Sequence, residues 1–287
     1  MRWWFMTAGL VLVAACSGGD DKAGDTGAAG TASDTDTDTD TDSDADADTD
    51  TDADTDADTD TDTDTDIARG TLSGTVVSGG GALQDNPLKL CRGLACLNEF
   101  TGSDGSFAFA DVAADWHSFE IVVTDSSRAT VLVPVQLGAE EVFSLDVNVP
   151  DLDAASSMPS SPTEVEMGEG LLLTISGGDI EPPLFVDPAT EVAGVRVPQA
   201  DWIPVIGATE VVDQWFLAPY HHKAVNGGLP IRFENLWKLK DGTSYEVWVA
   251  SYDDSAWHSA GTVTVGGGFL EGGVLIDEVS TVALVVP

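Results

Sequence analysis

The chain has 287 residues, with 50 Asp and Glu against 11 Lys and Arg, giving a formal net charge of −39. So large an acidic excess argues against nucleic acid as a partner and against electrostatic docking on anionic lipid, because both need clustered Lys and Arg. The charge is uneven: residues 17–66 hold 20 aspartates against Lys22 alone, a balance of −19, while residues 67–287 hold 30 acids and 9 bases, a balance of −21. The latter stretch is long enough for one large or two modest domains with proper cores.

Residues 1–15 have the parts of an export signal. Arg2 is the only charge before Asp20, and an apolar run over 5–13 ends in Ala14 and Ala15. That run is too short to span a hydrocarbon core, which needs about 20 residues. The segment Val13-Ala14-Ala15-Cys16-Ser17 resembles the lipobox of bacterial lipoproteins, with Val where Leu is commoner. The resemblance implies that Cys16 becomes the N-terminus and carries acyl chains (palmitate), anchoring the chain in a membrane. Ser17 in place of Asp implies the outer membrane. An ordinary signal peptide cut after Ala15 is the alternative. An odd Cys in an exported chain needs an explanation. With Cys16 lipidated, Cys91 and Cys96 remain, and in an oxidising compartment they are expected to close a small disulfide loop. Without further Cys, two thiols at that spacing make a poor metal or redox site.

From Asp34 to Asp66 every even position is Asp, alternating with Thr, Ser or Ala. No residue there can repay the entropy of ordering, so 16–66 is expected to be a disordered stalk. Neighbouring carboxylates in an extended chain sit about 7 Å apart, inside the Debye length of about 8 Å, so repulsion extends it. Fifty such residues reach at most about 165–180 Å. The pattern is similar to the Ser-Asp stalks of bacterial surface adhesins. Asp-x-Asp-x-Asp also matches the first ligand positions of an EF-hand, but the Gly and Glu that such a loop needs are missing from 34–66. Diffuse attraction of divalent cations is expected, with no cofactor and no discrete metal site.

Past Ile67 the composition turns to Val, Leu, Thr and Gly, in short apolar runs with turn signals between them and no sustained helical period, so the fold class is all-β. Residues 67–150 offer strands over 71–77, 88–91, 96–101, 106–110, 119–124, 130–137 and 142–149, the count and spacing of a small sandwich. Asp104-Gly105 signals a hairpin. The pattern Gly74-x-Val76, Leu88-x-Leu90, Thr101-x-x-Asp104-Gly105-x-Phe107-x-Phe109-x-x-Val112 and Phe119-x-Ile121-x-Val123 resembles the carboxypeptidase regulatory-like (transthyretin-like) domain. The resemblance covers under a third of the chain. It implies a prealbumin-like sandwich that is structural or binding and has no catalytic residues. The Cys91–Cys96 insertion departs from the pattern.

Residues 151–162 read as a Ser/Pro/Asp linker. A second β-sandwich is expected over 163–287, with strands over 171–176, 192–197, 210–217, 229–235, 244–252, 261–265 and 281–286. Trp202, Trp215, Trp237, Trp248 and Trp257 all fall there. Over 244–252, alternation puts Tyr245, Val247 and Val249 on one face and Glu246, Trp248, Ala250 and Tyr252 on the other. Trp248, Tyr252 and Glu246 on that less hydrophobic face would form a ligand platform for a sugar. Alternatively, Trp248 packs under a loop or second layer, where most aromatics sit. Tyr220-His221-His222, with Glu210 and Asp213 upstream, invites a metal reading, but adjacent His on a strand point to opposite faces. They precede a turn, where exposed His is unremarkable. Asp253-Asp254 reads as a turn.

Neither the H-E-x-x-H, G-x-S-x-G and P-loop signatures nor a C-x-x-C pair occurs. The sequence therefore leads to a non-enzymatic, lipid-anchored envelope protein that presents two β-sandwich modules on an acidic stalk. Its partners would be the membrane, through the lipid, and a polysaccharide or surface protein, with no nucleic acid. A purely structural envelope component is the alternative, and a hydrolase with an unrecognised cleft is a third.

Overall fold

The computed structural model describes residues 67–123 and 125–287. The signal peptide, Cys16 and the acidic stalk lie outside the described residues. The described chain is all-β, and its one helical element is a 3-10 turn, Gln199–Asp201.

The first block contains β1 (Arg69–Ser78), β2 (Gly81–Ala82), β3 (Pro87–Arg92), β4 (Ala95–Phe100), β5 (Ser106–Ala113), β6 (Trp116–Ile121), β7 (Val131–Gln136) and β8 (Val142–Asn148). In one sheet β1 pairs antiparallel with β2 and β5 and parallel with β8. The other runs β4-β3-β6-β7, antiparallel throughout. Residues two apart share a face, so Phe107 and Phe109 of β5 both point inward and meet Phe119 of β6, with ring centroids 5.0 and 6.1 Å away. Each such buried ring contributes about 1.5–3 kcal/mol. Gly74 of β1 lies so close to β8 that a Cβ there would strike the Leu145 carbonyl.

The turn at Asp104-Gly105 is not a hairpin. It carries the chain from β4 in one sheet to β5 in the other. Gly105 takes φ 79°, and a Cβ there would meet the Val76 carbonyl, so the glycine allows the turn to lie close against β1, the neighbour of β5 in its own sheet. The Asp104 carboxylate accepts the Ser106 N–H at 3.0 Å, closing the turn.

Cys91 and Cys96 are directly opposite one another in the β3–β4 pair and form a disulfide, with Cα atoms 4.0 Å apart. On the chain-entropy account a loop this short stabilises by about 2 kcal/mol. It pins β4, an edge strand whose residues are all exposed.

The second block contains β9 (Ser156–Ser157), β10 (Thr163–Glu166), β11 (Leu171–Ile175), β12 (Ile180–Glu181), β13 (Glu191–Arg196), β14 (Glu210–Ala218), β15 (His222–Ala224), β16 (Leu229–Glu234), β17 (Ser244–Ser251), β18 (Ala256–Gly266), β19 (Phe269–Glu271), β20 (Leu275–Ile276), β21 (Glu278–Val279) and β22 (Thr281–Val286). An 11-stranded sheet runs β10-β11-β16-β19-β18-β17-β22-β14-β13-β9, with β20 on β16. β12, β15 and β21 form a small separate sheet. The large sheet folds over its own core, since Leu173, Phe233, Val247, Trp215 and Leu284 share one cluster. The segment 151–162 contributes β9, which pairs with β13, and Arg128 bridges to Asp151.

The two blocks share a second core. Ala250, Ala283, Val285 and Phe216 of the large sheet belong to the same cluster as Phe119, Leu132 and Val133 of the first sandwich. β7 is therefore covered on both faces, and Val131 to Val135 are all buried. The Thr281 hydroxyl donates to the Leu132 carbonyl at 3.1 Å across this seam.

Candidate functional site

Alternation along β17 is as the sequence indicates, but the face carrying Trp248 is not open. Tyr245, Val247 and Val249 enter the core of the second block, while Ala250 is buried in the shared core and Trp248 and Tyr252 pack against it. Glu246 and Trp248 do come together: the indole N–H donates to Glu246 Oε2 at 2.7 Å. Trp248 is half-buried under the loop at Gly207. Tyr252 lies past the strand end in a different neighbourhood. Its hydroxyl donates to Cys91 Sγ at 3.3 Å, and its ring packs 4.2 Å from that of His221.

The two histidines are not the exposed pair that their place before a turn suggests. His222 is 4% exposed, and its Nδ1 lies 3.1 Å from the Tyr220 carbonyl, while His221 turns out at φ 59° onto Tyr252. Burial holds His221 down at about 4. His117 is buried with Nε2 2.8 Å from the Ala113 carbonyl, and His258 is exposed beside Asp254. Among the described residues no group of three or more His, Cys, Asp or Glu is placed to hold a metal ion.

A cleft of about 630 Å³ opens on the second block between Trp202, Trp237 and Tyr245. Two side-chain amides build it. Gln214 accepts the Ile203 N–H at 2.9 Å and donates to the Ile203 carbonyl at 2.7 Å, which fixes the loop carrying Trp202. Asn235 clamps Leu239 in the same two-bond manner, at 2.8 and 2.9 Å, and fixes the loop carrying Trp237. At the register shift between Val211 and Asp213, β14 turns the Asp213 side chain inward. Asp213 is 1% exposed and accepts from Arg196 Nε at 2.6 Å, Trp237 Nε1 at 2.9 Å and the Gln214 N–H at 2.9 Å. Burial pushes its carboxyl up against the pull of these donors.

Arg196 reaches Glu169 through Nη1 at 3.0 Å and lies 5.5 Å over the Trp237 ring. Burial alone would lower the guanidinium, but bonding to Asp213 and then Glu169 carries it above its ordinary value. Its Nη2 makes no hydrogen bond among the described residues. The cleft is thus lined by two indoles, the Arg196 guanidinium and the exposed carboxylates of Glu169 and Glu210. Sequence reading missed Arg196, Trp202, Trp237 and Tyr245 as a group. The available signal was that Trp202 and Trp237 fall outside strands, in short turn-rich segments.

No family model matches the chain, and no curated protein matches it. Among solved structures it is similar to a DUF3823 family protein from Parabacteroides merdae (10% identity, 77% of this chain and 81% of that one, TM-score 0.24). It is similar also to a proposed carbohydrate-binding protein from Bacteroides uniformis (11%, 76% and 100%, 0.25). A third is the major pilin subunit of Bacillus cereus (9%, 76% and 85%, 0.27). At that level of overlap none of the three informs the chemistry of the cleft.

Proposed function

We propose that this chain is a non-enzymatic envelope protein, held at the outer membrane by lipid on Cys16, that binds a polysaccharide in the cleft between Trp202 and Trp237. Residues 67–150 would serve as a carboxypeptidase regulatory-like module, and 16–66 as the stalk that lifts both sandwiches off the membrane. The observation that carries the reading is the fixed aromatic and charged lining of the cleft. An indole face packs on the apolar face of a pyranose ring, while Arg196 Nη2 and the Glu169 and Glu210 carboxylates stand ready for hydroxyls. Because the amide clamps and the Asp213 ion pair hold these groups already, little is lost to ordering on binding.

The test is calorimetric titration of the purified full-length chain with cell-surface polysaccharides. Trp202→Ala should weaken binding by about tenfold or more in a chain that still unfolds cooperatively above the assay temperature. Equal affinity in the two proteins would remove the cleft from the reading, and silence across the whole panel would favour a structural role. One observation supports that second reading: β4 offers a free sheet edge with Leu97 and Phe100 exposed, a surface on which another chain can add a strand. Anchoring is tested separately. Cys16→Ser should move the chain from the membrane to the soluble fraction and abolish uptake of labelled fatty acid; membrane retention with label would sink the anchor.

A further inference from the structure

A second cleft lies where the two sandwiches meet. Glu120 of β6 points across the seam, and its Oε1 accepts the hydroxyl of Tyr220 from the other block. The residue is 3% exposed, yet Oε2 has no hydrogen-bond partner. The nearest cation, Lys89 Nζ, stands 3.6 Å away, beyond hydrogen-bonding range. A buried carboxylate oxygen without a donor is uncommon and costly, and it points to a missing partner.

A cavity of about 470 Å³ opens over this gap, walled by Lys89, Tyr220, His221 and Tyr252 and lipped by Pro183, Leu184 and Val186. The lip belongs to the segment after β12. Leu184 is 86% exposed and Phe185 fully so, on a stretch stiffened by Pro182, Pro183 and Pro188. An adjoining space of about 350 Å³ shares Pro183, Leu184 and His221 and ends at the Lys223–Asp253 ion pair.

The spacing selects the ligand chemistry. A cation entering the gap meets Lys89, and an anion meets Glu120. A neutral hydroxyl suits both, because one oxygen can donate to Oε2 and accept from Nζ. The His221 and Tyr252 rings, in contact at a 45° tilt, and the Leu184 lip offer an apolar wall for the C–H face of a ring. His221 is neutral at neutral pH, since burial holds it at about 4, so the wall adds no charge.

We propose that the junction cleft is a second ligand site, which takes one neutral pyranose unit with a hydroxyl bridging Glu120 and Lys89. Its lining shares no residue with the Trp202–Trp237 cleft, so the two sites stand or fall separately. With the polysaccharide cleft it would give one chain two points of attachment to a glycan, raising avidity without new contacts.

The purified full-length chain is titrated calorimetrically with neutral tetrasaccharides of glucose, galactose and mannose, in a Trp202→Ala background that isolates the junction. One of these probes should bind, and Lys89→Gln and Leu184→Asp should each weaken it by about tenfold or more, the loss of one hydrogen bond or apolar contact. Leu184 is exposed, so its replacement cannot act by unfolding the protein. No binding in the Trp202→Ala background, or binding that both junction variants leave unchanged, would overturn the proposal. Junction binding in a chain whose affinity ignores Trp202 would instead sink the first cleft and keep this one.

Discussion

Replacing Arg196 by Met should cost the protein about 3–5 kcal/mol, because the substitution strands a buried charge. Asp213 is 1% exposed, and the guanidinium is its only countercharge within 4 Å among the described residues. The Met side chain keeps much of the packing against Trp237 but none of the donors. Asp213 would retain the indole N–H and the Gln214 N–H, which satisfy its oxygens without neutralising them. Burial already raises its carboxyl with Arg196 present, so in the variant that push goes unopposed. A carboxyl raised in the folded state contributes stability at low pH that is lost as pH rises through the folded value. The deficit in Arg196→Met should therefore be larger at pH 8 than at pH 4. Adding Asp213→Asn should recover most of it, since two neutral groups leave no unpaired charge. Urea unfolding of the three proteins at both pH values checks this. A loss near 1 kcal/mol or less, without pH dependence, would mean that the pair behaves as a surface ion pair.

The fold was legible wherever side-chain period alone decided it. Leu72 and Val76, Phe107 and Phe109, and Tyr245, Val247 and Val249 each alternate, and each set is buried on one face. The unbroken apolar runs Val131–Val133 and Val282–Val285 belong to strands covered on both sides, which is what the absence of alternation means. β12, β15, β20 and β21 are two or three residues long, too short for any period, and they passed unseen. That Trp248 packs under a loop or second layer was one of two readings the sequence offered, but which elements cover it was not legible, because they are the shared core and the loop at Gly207, far off in sequence. Both clefts have the same origin. Glu120 and Tyr220 are 100 positions apart, and Trp202 and Trp237 come to line one cleft only through loops held by Gln214 and Asn235. Local pattern specifies strands, whereas these sites are set by which loops the sheet order brings together.

That same junction should make stability respond to pH in a way one substitution exposes. Glu278 of β21 is 4% exposed, and its Oε1 has no hydrogen-bond partner. Burial raises its carboxyl from 4.5 to about 7, against the pull of the Tyr252 N–H and of Lys223. Its contribution is fully present below about pH 4.5 and is lost as pH rises to about 7, amounting to about 3 kcal/mol at pH 8. His221 works in the opposite direction. Burial lowers it from 6.5 to about 4, so its contribution is present above about pH 6.5 and is lost as pH falls to about 4. Between those limits Glu278 takes up protons on folding while His221 sheds them, so their two slopes oppose and largely offset each other. Glu278→Gln keeps the shape and the acceptor for the Tyr252 N–H but cannot ionise. The variant should match the native chain at pH 4 and exceed it by about 3 kcal/mol at pH 8. Between the two, its stability should climb with pH as the slope due to His221 is unmasked. Urea midpoints at pH 4, 6 and 8 read this directly, and a gain that failed to grow with pH would show that Glu278 is not held neutral in the fold.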